Sequence, residues 1–84
     1  MKPEFYLVLH DVPSDELANA VYEAGFDDCV FTSRGGRAAI EIYDREGELV
    51  QVVEGAIRQA ERQGLRVDHV EVLRDSFLAN STSR

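Results

Sequence analysis

The sequence has one cysteine, two prolines and no tryptophan, and it has no long apolar run. Its single cysteine, Cys29, cannot form a disulfide within the chain. Only about five apolar residues precede His10 and Asp11 in one run, which is shorter than a signal sequence or a membrane span requires. These shortages argue against a secreted, disulfide-stapled or membrane-anchored protein, and we expect a cytoplasmic one.

Basic residues are also scarce. Nine Lys and Arg residues stand against 16 Asp and Glu, for a formal net charge of -7. This charge opposes binding to a phosphate backbone or to an anionic membrane, so neither nucleic acid nor membrane is expected as a direct partner. An acidic surface suits a basic protein partner instead.

Length and composition indicate one folded domain. The chain has 84 residues, of which 44% are hydrophobic and 30% charged, a balance typical of globular domains and unlike that of disordered chains. Residues 1–75 are predicted to form the domain. Residues 76–84 are polar and lack periodicity, which predicts a C-terminal tail with Phe77 and Leu78 available for docking.

Apolar residues alternate in four segments and recur at helical spacing in two others. This order of elements predicts an α+β fold, a ferredoxin-like sandwich. In it, two helices lie on one face of a four-stranded antiparallel sheet with strand order 4-1-3-2. Val67 is out of phase with Val70, which predicts a bulge or a later strand start. The predicted βαββαβ elements are Glu4–His10, Ser14–Gly25, Asp28–Ser33, Arg37–Tyr43, Leu49–Gly64 and Val67–Leu73.

The ends of the predicted helices have recognisable signals. Ser14 is placed to cap the first helix through its hydroxyl, and Gly25 supplies a left-handed exit that lets Phe26 fold back onto the helix. Gly64 repeats that exit for the second helix. Gly55, inside the second helix, costs about 1 kcal/mol relative to alanine, which suggests a close approach to the sheet.

One face of the predicted sheet is not covered by helices, and we call it the open face. Its expected residues on the two central strands include Tyr6, Val8 and Tyr43, an apolar patch of the kind that binds a protein partner or a second copy. Arg34 and Arg37 flank the Gly35-Gly36 turn and form the one basic spot, suited to an acidic partner. The predicted partner-binding residues are therefore Tyr6, Val8, Tyr43, Arg34 and Arg37.

The residue pattern predicts no catalytic, cofactor or metal site, and hence a protein that is not an enzyme. His10 and Asp11 are adjacent at the end of the first strand, where consecutive side chains point to opposite faces, and this prevents triad geometry unless the turn intervenes. Asp28 disfavours a thiolate at Cys29, so we predict a buried structural cysteine. His10 and His69 lack metal-ligand spacing. The third strand also lacks the basic, aromatic signature of RNA recognition motifs.

The run from Glu16 to Glu46, followed by a second helix and the LRVDHVEVL strand, resembles the N-terminal domain of small bacterial proteins described as antitoxin-like or DNA-binding. The likeness spans about Phe5 to Leu73. It implies a regulatory module that pairs with a toxin or with itself, without the helix-turn-helix that usually follows in that family. The residues that match the family pattern are Asp15, Glu16, Tyr22, Glu23, Ala24, Gly25, Asp27, Asp28, Asp44, Arg45 and Glu46.

A second resemblance is to ACT domains, which are similar in fold and bind amino acids where the first strand turns into the first helix. Here VPSDELANAVYEAG supplies the helix but lacks the glycine that admits a ligand to the backbone after the first strand. Sensing of a small ligand such as an amino acid is the alternative function.

Overall fold

A computed structural model describes residues 1–74 and Phe77. They form a single antiparallel sheet of four strands, in the order β2-β3-β1-β4, together with two helices. The coarse prediction of an α+β fold is confirmed. The elements are β1 (Phe5–Leu9), α1 (Asp15–Glu23), β2 (Val30–Arg34), β3 (Arg37–Ile42), α2 (Leu49–Arg62) and β4 (Val67–Val72).

The ends of the elements follow the predicted signals. Ser14 Oγ accepts a hydrogen bond from the Leu17 amide at 3.1 Å and caps α1. Gly25 has φ +97° after α1, and the Phe26 amide donates to the Val21 carbonyl at 3.3 Å, so the buried Phe26 packs back on the helix. Gly64, at φ +86°, provides the same exit from α2.

The β2–β3 hairpin turns through Gly35 and Gly36, at φ +59° and +82°. Positive φ at both central residues matches the right-handed twist of the flanking strands, and glycine adopts it without steric cost. The turn leaves Arg34 paired with Arg37 at the end of the ladder. Arg34 therefore ends β2 and Arg37 begins β3 at the same end of the sheet.

One cluster of buried side chains forms the core. It joins Phe5, Leu7 and Leu9 of β1 to residues of β3 and of both helices. The alternate residues of the same strands, among them Tyr6 and Val8, lie on the face opposite the core cluster, and we keep the name open face for it. The helix residues buried in the core cluster are Val21 of α1, and Ala56 and Ala60 of α2.

β4 contains the irregularity that the phase of Val67 predicts. Val8 pairs with His69 but Leu9 pairs with Val67, so Asp68 is an extra residue in the ladder. Such a bulge changes the direction of the side chains around it. It leaves Asp68 beside His69 at the margin of the open face, where Asp68 forms ion pairs with His69 and Arg37.

Candidate functional site

A chain of ion pairs crosses the open face from β2 to β4. Arg34 Nε donates to Glu71 Oε1 at 2.9 Å, and the Arg34 guanidinium lies 4.4 Å from the centre of the Tyr6 ring. Glu71 Oε2 is 3.0 Å from His69 Nε2, and His69 Nδ1 is 2.7 Å from Asp68 Oδ2. We call Arg34, Glu71, His69 and Asp68 the polar relay.

The bulge residue Asp68 gathers further cations. Its Oδ1 lies 3.2 Å from Arg37 Nη1 and 3.5 Å from His10 Nδ1. The structure thus brings both histidines to one carboxylate, which their separation in sequence did not predict. Within residues 1–74 and at Phe77, no group of three or more His, Cys, Asp or Glu side chains is arranged to hold a metal ion.

Hydrogen bonding shifts the pKa values along the polar relay. The bonds to Glu71 and Asp68 raise the pKa of His69 above its usual value, because both carboxylates favour the imidazolium. The bond from His69 lowers the pKa of Asp68, and those from His69 and Arg34 lower that of Glu71. Carboxylates only accept, so both bonds form together only when His69 is protonated on both ring nitrogens.

The stability of the fold is therefore expected to depend on pH through His69. A raised folded pKa gives a contribution that is complete below the unfolded value, near 6.5, and is lost as pH rises through the folded pKa. Urea unfolding of the wild type and of His69→Gln, with His10 retained in both, measures it. The variant should lose less stability than the wild type across neutral pH; parallel curves would contradict the assignment. The effect is small, as for other exposed ion pairs.

The predicted partner-binding residues do not form one apolar patch. Val8 is 0% exposed, so the expectation that it is exposed to solvent on the open face is wrong. It lies opposite Ala39 of β3 and His69 of β4. Tyr6 is half-buried under Arg34.

Tyr43 and the two arginines also differ from their expected setting. β3 ends at Ile42, so Tyr43, which is 44% exposed, lies beyond the strand and not in the middle of the open face. Arg34 and Arg37 are exposed as predicted, but each is paired with a carboxylate of β4. The predicted basic spot is thus neutralised within the chain.

A second polar cluster ties the loop after α1 to α2. Arg45 donates from Nε and Nη2 to the two carboxylate oxygens of Asp28, at 3.0 and 3.1 Å, and from Nη1 to Gln59 Oε1 at 2.8 Å. Gln59 Nε2 in turn donates to the Ala24 carbonyl at the end of α1. The Arg45 guanidinium lies 5.0 Å from the Phe26 ring centre.

The contacts of Asp28 shift its own pKa and that of its neighbour Cys29 in opposite directions. The hydrogen bonds from Arg45 lower the pKa of Asp28. Burial, together with the hydrogen bond from Sγ to Asp28 Oδ1 at 3.2 Å, raises the pKa of Cys29 to about 12. The predicted effect of Asp28 on the thiol is confirmed, although Cys29 is half-buried and not fully buried. A thiol with this pKa is protonated at neutral pH and is a poor nucleophile.

Replacing Arg45 with alanine is expected to destabilise the fold by about 1–2 kcal/mol. Hydrogen bonds to charged groups contribute more than neutral ones, but the partial exposure of Asp28 reduces the loss. Arg45→Lys keeps the charge and loses the two-pronged contact, so it should restore only part of the stability. Urea unfolding measures both variants; full restoration by lysine would show that charge alone matters.

Beside Arg45 lies a wide, open cavity of about 330 Å³ between the β3–α2 loop and α2. Gly55 opens it: a Cβ at this position would meet nothing within 4 Å. The suggested close approach of Gly55 to the sheet is therefore wrong. The cavity is lined by Arg45, Glu46, Gly47, Gln51, Val52, Gly55, Ala56 and Gln59.

An apolar groove of about 300 Å³ runs between α2 and β4. Val50 is 67% exposed in it, and Phe77 55%. The Phe77 amide donates to the Leu73 carbonyl at 3.0 Å, which brings the ring back against the domain. Phe77 thus lines the groove, whereas Leu78, which was also expected to be available for docking, lies outside the described residues. The groove is lined by Leu49, Val50, Val53, Glu54, Val70, Val72 and Phe77.

The sequence analysis missed the polar relay, the Arg45 cluster and the apolar groove. A signal for the first was available, since the alternation of His69 and Glu71 in β4 puts both on the face of Tyr6. No spacing of residues in the sequence predicts the Arg45 contacts.

No protein-family model, curated protein or solved structure matches this chain. Across the described residues, no helix is both long and apolar enough to cross a membrane.

Proposed function

We infer that this chain is a non-enzymatic protein-interaction module with a ferredoxin-like fold, which associates with a partner protein or with itself through its sheet. The strand order and the single core cluster shared by both helices support this fold, with α1 and α2 on one face of the sheet. The groove between α2 and β4 supports association, because it exposes apolar side chains beside a sheet edge.

The groove changes where association is expected. The polar relay already occupies much of the open face, and Val8 on that face is buried. No described strand pairs with the outer edge of β4, so this edge offers backbone groups and the groove next to it offers apolar pockets, which is the combination that binds an added strand. Tyr43 remains a candidate contact at the end of the sheet.

An antitoxin-like role in the cytoplasm of a bacterium is the specific form of this proposal. The net charge of -7 favours a basic partner, and many proteins that act on nucleic acids are basic. The candidate partner is the product of the neighbouring gene in the source genome, if that gene encodes a basic toxin.

Sedimentation of the full chain, alone and with that gene product, tests the proposal. We expect a complex or a homodimer, and expect Val50→Asp to weaken it at least tenfold by placing a charge in the groove. Tyr22→Ser is the matched control, because Tyr22 is 66% exposed on α1, away from the groove. A chain that stays monomeric and does not bind the gene product would overturn the proposal.

Amino-acid sensing is the alternative, and the cavity beside Arg45 favours it. Arg45 and Glu46 at its margin offer opposite charges to a zwitterion, and Gly55 leaves room for a ligand. This location differs from the strand-to-helix turn that the ACT resemblance implies.

A thermal-shift screen against the amino acids tests the alternative. A ligand that binds only the native state raises the melting temperature in a saturable way. Gly55→Leu should abolish that shift by filling the cavity, whereas Gly55→Ala should keep much of it. Both replacements should stabilise the free protein, by about 1 kcal/mol for alanine. Melting temperatures unchanged by every amino acid would exclude this function.

A further inference from the structure

We propose that the outer edge of β4 is a homodimer interface, at which β4 of two copies pairs antiparallel about Val70 and joins the two sheets into one. The proposal rests on the proposed function and specifies its partner and its surface. Three features of the structure carry it: the direction of the backbone groups, the alternation of charge along β4, and the apolar groove.

The backbone of β4 presents free hydrogen-bonding groups on its outer side. The His10 amide donates to the Arg66 carbonyl at 3.0 Å, so the polar groups of His10, and by alternation those of Val8 and Tyr6, point toward β4. The backbone amides and carbonyls of their partners His69 and Glu71 point back toward β1. The amides and carbonyls of Val70 and Val72 therefore point outward, at an edge that no described strand covers.

Charge selects one register for the pairing. If Val70 lies opposite Val70 of the second copy, then His69 lies opposite Glu71 of that copy, and two-fold symmetry repeats this favourable pair. If Val70 lies opposite Val72 of the second copy, Glu71 faces its own mate, and two carboxylates meet. The sequence of β4 is thus self-complementary in the register centred on Val70.

The apolar groove continues this interface on the helix side of the sheet. Val70 and Val72 line it together with Val50 and Phe77. Two-fold symmetry about Val70 brings the grooves of both copies to the same seam, where each covers exposed apolar surface of the other. The net charge of -7 repels only weakly at physiological salt, because screening acts beyond about 8 Å.

Complementary charge variants test the register directly. His69→Glu makes positions 69 and 71 both negative, and Glu71→Lys makes both positive, so each variant alone should dimerise at least tenfold more weakly than the wild type. An equal mixture of the two should form a heterodimer near wild-type affinity, because every cross-strand pair is again opposite in charge. Contacts within one chain cannot produce this recovery.

Sedimentation equilibrium at slightly acidic pH measures all four samples, and circular dichroism verifies their folding. Ser33→Glu, on the opposite sheet edge, is the matched control and should leave the dimer unchanged. Should a charge variant unfold, Val50→Asp replaces it and should also weaken the dimer.

A wild type that stays monomeric at millimolar concentration, or a dimer that these variants leave intact, would overturn the interface. Failure of the mixture to recover would overturn the register and the proposal with it. If the chain instead binds the neighbouring gene product, or dimerises through a surface sensitive to Tyr43→Ser, the proposed function stands while this interface falls. If it does neither, both fall.

Discussion

Replacing Phe5 with alanine should remove a large part of the free energy of unfolding. Phe5 is 0% exposed in the core cluster, between Ile42 of β3 and Val72 of β4. Truncating a buried phenylalanine costs about 3–5 kcal/mol through lost burial and the cavity left behind. A chain of this length has roughly 4–13 kcal/mol of stability to lose, at the usual 0.05–0.15 kcal/mol per residue.

Urea unfolding followed by circular dichroism measures this loss. Val12→Ala is the control, because Val12 is 68% exposed and its truncation should change stability by no more than about 0.5 kcal/mol. Equal effects of the two substitutions would mean that β1 does not form the centre of the core.

The second large effect is expected on the opposite face of the same strand. Val8→Ala should destabilise the fold by about 2–3 kcal/mol, since Val8 is 0% exposed and its methyl groups are fully buried. Val30→Ala tests the same chemical change at a residue of the same face that is 43% exposed, where a much smaller loss is expected. Similar unfolding midpoints for both variants would show that Val8 lies in water.

Much of the fold was predictable because local signals and burial agree. The helix ends were predicted from Ser14, Gly25 and Gly64. The change in the phase of apolar alternation at Val67 predicted the bulge. Strand ends were less certain. Tyr43 continues the alternation of β3 but lies beyond the last paired residue. Alternation of apolar residues does not show where the hydrogen-bonded ladder ends.

The candidate site was less predictable because it depends on contacts between distant residues. Arg34 and Glu71 are 37 positions apart, and Arg45 meets Asp28 and Gln59 only after three segments come together. Val8 shows the same limit on an apolar residue. Its alternation placed it correctly on the face opposite the core cluster, but its burial depends on residues of other strands, such as Ala39 and His69, that no local pattern links.

The position of β1 in the middle of the sheet also affects the order of synthesis and folding. β1 pairs with β3 and with β4, which is translated after the other described strands. At roughly 5–20 residues per second, several seconds of translation separate the synthesis of Phe5 from that of its partner Val72. During that time the β2–β3 hairpin can form locally, but one side of β1 has no partner. A nascent chain stalled before β4 would therefore expose an aggregation-prone strand, and chaperones should bind it in preference to the released protein.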